Sequence, residues 1–209
     1  KNDSARSILT LRLADLLFDE AVQENKLGKP VTEIVALQRK AIRLYEEALL
    51  LDRDQLPDAQ RTKVEFQLGR LYGEVGEEAK ANTIWKKLVA QPTFKNFQKE
   101  SALRLAEWNE KKGVAGEANR YYRLAIELCQ EGDVCSYGHY RLAWLLKRQG
   151  NLKEGVSELR TALWDSAGQP KEEVLRDLIV FLSEEKTDGE AELAEVEAIS
   201  QRISRPQLL

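Results

Sequence analysis

The sequence predicts an all-α protein in which about five helical hairpins repeat along the chain. Of the 209 residues, 43% are hydrophobic and 32% are charged, which is typical of a globular protein. Ala, Leu, Glu, Lys and Arg are abundant, and this composition favours helix. Gly76, Gly113 and Gly150 stand 37 residues apart within similar flanking patterns. A fixed spacing of this kind indicates a repeat array.

The first hairpin, about residues 5–52, is expected to be longer than the others. Apolar residues recur at three- and four-residue spacing from 5 to 22, which is the pattern of one helix face. Ala14 and Ala41, the small residues that mark its two helices, are 27 residues apart, whereas the later repeats leave 12. Gly28 and Pro30 lie between them, so we expect the surplus to lengthen both helices. A dedicated contact arm is the alternative.

Three hairpins follow with the same spacing of small and large residues, at about residues 58–91, 96–130 and 136–165. Small residues recur where the two helices of each hairpin face each other: Gly69, Ala81, Ala106, Ala118, Ala143 and Gly155. They allow close approach of antiparallel helices, and large side chains fill the space toward the next pair. These large residues are Trp85, Tyr122 and Leu159.

A fifth hairpin is expected at about residues 171–200. Its first helix keeps the apolar residues Leu178, Ile179 and Leu182, but Glu195 stands where Trp85 stands in the second hairpin. Terminal repeats are often atypical because one face meets solvent. Residues 204–209 are expected to form a tail.

The repeated pattern of small and large residues resembles that of the tetratricopeptide repeat (TPR) family over about residues 5–200. The second hairpin matches the family pattern best, with Leu68, Gly69, Tyr72, Ala81 and Trp85. The resemblance implies a right-handed α-solenoid that forms a single domain over residues 1–209. The spacing of 37 residues exceeds the usual 34 of the family. Sel1-like repeats and other α-solenoids are the structural alternatives.

Composition and motifs argue against several functions. A net charge of −3 gives no overall attraction to nucleic acid, and no apolar run is long enough to insert into a membrane. The sequence has one His and no Gly-rich phosphate loop, so we expect neither an enzyme nor a cofactor. His139 occupies a position that usually holds a packing residue in TPR proteins, which favours a structural role.

The two cysteines leave three interpretations open. Cys129 and Cys135 are expected at the ends of successive helices, where they can form a disulfide that would imply an oxidising compartment. With His139 they offer three ligands for a metal ion, although the spacing lacks the CxxC pairs of structural zinc. Two reduced thiols are the third interpretation. A disulfide would favour a periplasmic or otherwise exported protein, with a cytoplasmic location as the alternative.

The resemblance implies that the first helix of each hairpin lines a concave groove that binds a protein or peptide. The residues expected to line it are Arg12, Phe66, Arg70, Leu103, Arg104, Glu107, Tyr137, Tyr140, Arg141, Trp144, Lys147 and Arg148. Aromatic and cationic groups of this kind can stack on an apolar side chain and pair with a carboxylate. The alternative is that the aromatic residues pack against adjacent repeats and the charges form a solvated face.

The leading hypothesis is a non-enzymatic, monomeric scaffold within a larger bacterial assembly of the cell envelope or motility apparatus. Its partner would be a protein or peptide with an acidic and apolar segment. One alternative is a structural subunit that self-associates through its ends or its first hairpin. The other is a regulatory or recruiting domain of a larger enzyme.

Overall fold

The computed structural model describes residues 2–51, 56–129, 133–164 and 171–185, together with positions 194, 197, 198 and 201. The chain is all-α, as predicted. The helices of the described residues are α1 (Asn2–Lys26), α2 (Val31–Leu51), α3 (Asp58–Glu74), α4 (Glu78–Val89), α5 (Lys95–Lys111), α6 (Ala115–Glu127), α7 (Asp133–Arg148), α8 (Leu152–Ala162) and α9 (Glu172–Glu185).

The helices group into two compact units, residues 1–101 and 102–209. In the first unit α1 packs on α2, α2 on α3, and α3 on α4. In the second unit α6 packs on α7, α7 on α8, and α8 on α9. Helix α5 begins in the first unit and ends in the second. Each unit therefore consists of helices that pack mainly on their neighbours in sequence.

The periodic glycines form the turns within the hairpins. Gly76, Gly113 and Gly150 have φ values of 83°, 75° and 81°, the left-handed region that favours glycine. The residue after each glycine donates its N–H to a carbonyl five residues earlier, as in Glu77 to Tyr72 at 2.7 Å. This bond is the Schellman cap that closes a helix C-terminus. The spacing of 37 residues therefore reflects one turn used repeatedly.

Small residues allow the close helix contacts that the sequence predicts. A Cβ atom at Gly69 would lie 2.7 Å from Nε1 of Trp85, which is too close for a side chain. At Gly155 a Cβ atom would lie 3.1 Å from the carbonyl oxygen of Ala143. The larger residues Trp85, Tyr122 and Leu159 are buried, as expected.

The first hairpin holds the two longest of the described helices, α1 with 25 residues and α2 with 21. The remaining described helices have between 11 and 17 residues. The α1–α2 turn contains Gly28 in a left-handed conformation, and Pro30 immediately precedes α2. The surplus residues of the first hairpin thus extend its helices.

The fourth hairpin begins earlier than the sequence analysis placed it, because α7 starts at Asp133. Of the fifth hairpin, the structure describes α9. Leu178 and Leu182 are buried there, whereas Ile179 is 41% exposed and not part of the core. Phe181, which the sequence analysis did not single out, is fully buried instead. Glu195 and the predicted tail at 204–209 lie outside the described residues.

Candidate functional site

Predicted groove residues from α5 and α7 meet on one surface of the second unit. Arg104 Nη1 lies 3.0 Å from Glu107 Oε2, and Tyr137 Oη donates to Glu107 Oε1 at 2.9 Å. Arg141 Nη1 in turn donates to Tyr137 Oη at 3.1 Å. Arg104 and Arg141, which hold equivalent repeat positions, are thus joined through one chain of hydrogen bonds. We call these four residues the α5–α7 surface.

The α5–α7 surface continues into a cluster around Glu110. Its carboxylate accepts hydrogen bonds from Arg141 Nη2 at 2.8 Å and from Tyr122 Oη at 2.5 Å. Arg148 also donates to it. Sequence reasoning missed Glu110 and assigned Tyr122 to packing alone. The available signal was spacing, because Glu110 follows Glu107 by three residues and therefore lies on the same helix face.

The Glu110 cluster is electrostatically matched. Burial alone would raise the pKa of Glu110, but donors from Tyr122, Arg141 and Arg148 outweigh it and hold the pKa below its ordinary value. Burial and the bond to Glu110 raise the pKa of Tyr122. Arg141 also has a raised pKa: burial opposes its charge, but the bond to Glu110 prevails. At neutral pH the cluster therefore contains a carboxylate, a neutral phenol and charged guanidinium groups.

A cleft of about 350 Å³ opens beside the cluster. Glu107, Glu110, Arg141, Leu145 and Arg148 contribute to its lining. This volume is at the lower end of the range for small-molecule sites. The cleft is open to solvent, so it can take a side chain presented by another molecule.

The other aromatic residues of α7 face α9 instead. Tyr140 Oη and Trp144 Nε1 both donate to Asp177 Oδ2, at 2.8 and 3.1 Å. The Trp144 ring meets Phe181 edge to face, with 5.1 Å between ring centroids. Lys147 Nζ binds Glu184 at 2.7 Å and lies over the Phe181 ring. Tyr140, Trp144 and Lys147 thus hold the fourth hairpin to α9. For the two aromatic residues this is the packing role that the sequence analysis gave as the alternative.

The remaining predicted groove residues each have other surroundings. Arg12 is exposed on α1, Phe66 contacts Phe97 with 5.3 Å between centroids, and Arg70 lies over the Phe18 ring. Leu103 is only 5% exposed, so it belongs to the core and leaves little surface for a partner.

The first unit has a cleft of its own that the sequence did not indicate. It has a volume of about 460 Å³, and its lining includes Phe18, Ile34, Gln38, Arg70 and Glu74. Gln38 Nε2 donates to Glu74 Oε2 at 2.7 Å, and this bond joins α2 to α3 in the lining of the cleft. The lining is mostly apolar, and each of the three helices also contributes polar residues.

The two cysteines are joined by a disulfide, with 5.6 Å between their Cα atoms. The sequence analysis placed Cys135 before the helix of the fourth hairpin. In the structure it lies in the first turn of α7. A bonded pair excludes a thiolate metal site with His139. The His139 Nδ1 atom lies 2.6 Å from Glu158 Oε2, so the imidazole joins α7 to α8. Across the described residues, no group of three His, Cys, Asp or Glu could hold a metal.

The described helices include none that is both long enough and apolar enough to span a membrane. No protein-family model matches the chain. No curated protein matches it in sequence.

Several solved structures share the fold. The crystal structure of BtubC (BKLC) from P. vanneervenii has a TM-score of 0.63 and 17% identity, covering 98% of this chain and 91% of that one. A putative kinesin light chain from Podosopora anserina with nearly identical TPR-like repeats has a TM-score of 0.60 and 18% identity, covering 94% and 98%. The MamA protein has a TM-score of 0.61 and 16% identity, covering 94% and 97%. At these identities the likeness concerns the fold.

Proposed function

We propose that this chain, whose fold is of the TPR type, is a non-enzymatic scaffold that binds a protein or peptide segment. The observation that carries the proposal is the α5–α7 surface, where Tyr137 is 38% exposed and the Arg104 side chain is 42% exposed. Tyr and Arg are the side chains that most often dominate protein interfaces. Both are held by Glu107, so little conformational freedom is left to lose on binding.

The proposed partner segment carries an acidic residue beside an apolar one. Arg148 supports this choice, because 53% of its side chain is exposed although it binds Glu110. A partner carboxylate can therefore reach the outer edge of its guanidinium. The ring of Tyr137 offers an apolar face beside Arg141, whose guanidinium carbon lies 5.9 Å from the ring centroid. Tyr140 and Trp144 are not part of this proposal, since their polar atoms are engaged by Asp177.

Selection from a displayed random-peptide library tests the proposal. We expect the wild-type chain to enrich peptides in which an acidic residue neighbours an apolar one. Arg148→Glu should lower the affinity of the selected peptides at least tenfold, because a like charge replaces a pairing one. The matched control is Lys153→Glu on the exposed face of α8, which makes the same charge change away from the surface.

Circular dichroism must first show that both variants keep the helix content and melting temperature of the wild type. Equal affinity of the wild type and a folded Arg148→Glu variant would contradict the proposed site. A library that yields no enriched sequence would contradict peptide binding as a whole.

An exported location is also part of the proposal, supported by the Cys129–Cys135 bond. Disulfides persist mainly in oxidising compartments. Alkylation of protein from its natural compartment, with and without reductant, followed by mass measurement, should show both thiols protected until reduction. Free thiols in that protein would remove the support. Membership of a bacterial assembly stays a prediction.

A further inference from the structure

Helix α1 has two apolar faces, and one of them is uncovered. Leu11, Ala14, Phe18 and Ala21 are buried, and they form the face that packs on α2. A second line of leucines is exposed: Leu9 by 69%, Leu13 by 49% and Leu16 by 60%. Their spacing of four and three residues places them on one line along the helix. We call these three residues the outer stripe.

The repeat frame shows that the outer stripe occupies positions that are buried in other hairpins. Leu13 corresponds to Leu68 in α3 and to Leu142 in α7. The complete set in α3 is Val64, Leu68 and Leu71, which are 4%, 4% and 0% exposed. The set in α7 is Gly138, Leu142 and Leu145, all of them buried. Exposure of these positions is therefore particular to α1.

In the other hairpins this face is covered by the second helix of the preceding hairpin. Helix α2 packs on α3, and α6 packs on α7. A Cβ atom at Gly138 in α7 would lie 3.1 Å from a side-chain carbon of Ile126 in α6. Because these helices are consecutive and joined by short connections, the covering helix runs antiparallel. The outer stripe is thus the kind of helix face that an antiparallel helix covers elsewhere within each unit.

We propose that a second copy of this chain covers the outer stripe, with α1 packed antiparallel on α1 of the other copy. A two-fold axis near Leu13 would place Leu9 of each copy opposite Leu16 of the other. It would also place Arg6 opposite Glu20, since both residues stand seven positions from Leu13. The side chain of Arg6 is 65% exposed even while it binds Glu47 at 2.8 Å, and Glu20 is exposed.

The charge order of α1 favours this arrangement over a parallel one. Arg6 and Arg12 lie in the first half of the helix, whereas Asp19 and Glu20 lie in the second. Antiparallel pairing therefore sets basic residues against acidic ones at both ends of the stripe. A two-fold contact uses the same patch on both copies and closes after two, which limits the assembly to a dimer. The proposal differs from the monomer that the sequence analysis expected.

Sedimentation velocity of the 209-residue chain across a wide concentration range tests the proposal. The stripe is narrow, so we expect a reversible dimer with a dissociation constant of about 1–100 µM. Leu13→Glu should weaken the dimer at least tenfold because it places a charge at the axis of the apolar contact. Leu50→Glu is the matched control, since Leu50 is 77% exposed on α2 and lies outside the stripe.

Charge exchange tests the antiparallel register. Glu20→Arg alone should weaken the dimer, since it sets like charges together at both ends of the stripe. Adding Arg6→Glu should restore it, even though that change also removes the contact with Glu47. Thermal melting of each variant shows whether the fold is retained.

A wild-type chain that stays monomeric at about 1 mM would overturn the proposal and leave the stripe to a helix of another molecule. The proposal would also be overturned if a folded Leu13→Glu variant dimerised as strongly as the wild type. It would be overturned equally if adding Arg6→Glu to Glu20→Arg did not restore the dimer. The proposal is independent of peptide binding, because no residue of the α5–α7 surface takes part.

Discussion

Glu110 is a residue of the second unit on which three hydrogen bonds converge. Its side chain is only 11% exposed, and it accepts hydrogen bonds from Tyr122, Arg141 and Arg148. These donors come from two different helices, so a single carboxylate ties α5 to both α6 and α7. Loss of its charge would leave two guanidinium groups without their shared partner.

Glu110→Gln should lower the free energy of unfolding by about 1–2 kcal/mol. The value is below that for a fully buried ion pair because Arg141 and Arg148 are partly exposed. Urea unfolding provides the measurement. Glu117→Gln is the control, since Glu117 and its partner Arg120 are both well exposed on one helix, and its effect should stay within about 0.5 kcal/mol. Equal effects of the two changes would contradict a structural role for the cluster.

The stability of the chain should also depend on pH through Glu110. Its folded pKa lies below the unfolded value, so the stabilisation is complete above the ordinary carboxyl pKa of about 4.3 and is lost as the pH falls through the folded pKa. The difference in unfolding free energy between wild type and Glu110→Gln should therefore shrink as the pH is lowered from about 6 toward 3. A difference that stays constant over this range would show that the charge of Glu110 does not carry the effect.

At the scale of helices, the close approach of α3 and α4 depends on the missing side chain of Gly69. Trp85 of α4 fills the space that a Cβ atom would occupy, and its ring also approaches Gly73. A similar dependence exists at Gly155, which faces Ala143 and Phe181. Close helix contacts in this chain thus pair a glycine on one helix with a large side chain on another.

Gly69→Ala should destabilise the chain by about 1–3 kcal/mol, because the new methyl group would overlap the indole of Trp85. Gly116→Ala in α6 is the control. It meets nothing within 4 Å, so the higher helix propensity of Ala should leave stability unchanged or raise it by up to about 1 kcal/mol. Thermal unfolding followed by circular dichroism compares the two. Equal melting temperatures for the two variants would contradict the packing argument.

The elements of this fold were predictable from sequence because their signals are local. Each repeated turn needs one residue in the left-handed conformation, and glycine stands at that position, as at Gly76 and Gly113. Close contacts need small residues, as at Gly69 and Gly155. The length of α1 and α2 followed from the distance between Ala14 and Ala41.

The partners of individual side chains were less predictable because they come from distant positions. Tyr140 and Trp144 were assigned to the groove, but Asp177 of α9 accepts a hydrogen bond from each. Glu110 gains its role from Tyr122 and Arg148, which the spacing within α5 does not reveal. The sequence analysis did not single out the outer stripe, since its exposure depends on which helix lies beside it.

At the scale of the whole chain, the two proposed binding surfaces belong to different units. The exposed leucines of α1 belong to the first unit, and the α5–α7 surface belongs to the second. One is apolar and suits a helix, whereas the other is cationic and aromatic and suits an acidic, apolar segment. If both proposals hold, substitutions should abolish self-association and peptide binding independently.

The central claim is that the chain binds a peptide through the α5–α7 surface, and Tyr137 tests it most directly. Calorimetric titration with a selected peptide should show at least a tenfold loss of affinity for Tyr137→Ala, which removes the exposed ring. Tyr137→Phe should retain most of the affinity, because it keeps the ring and removes only the hydroxyl bonded to Glu107. Equal affinity of wild type and a folded Tyr137→Ala variant would contradict the account.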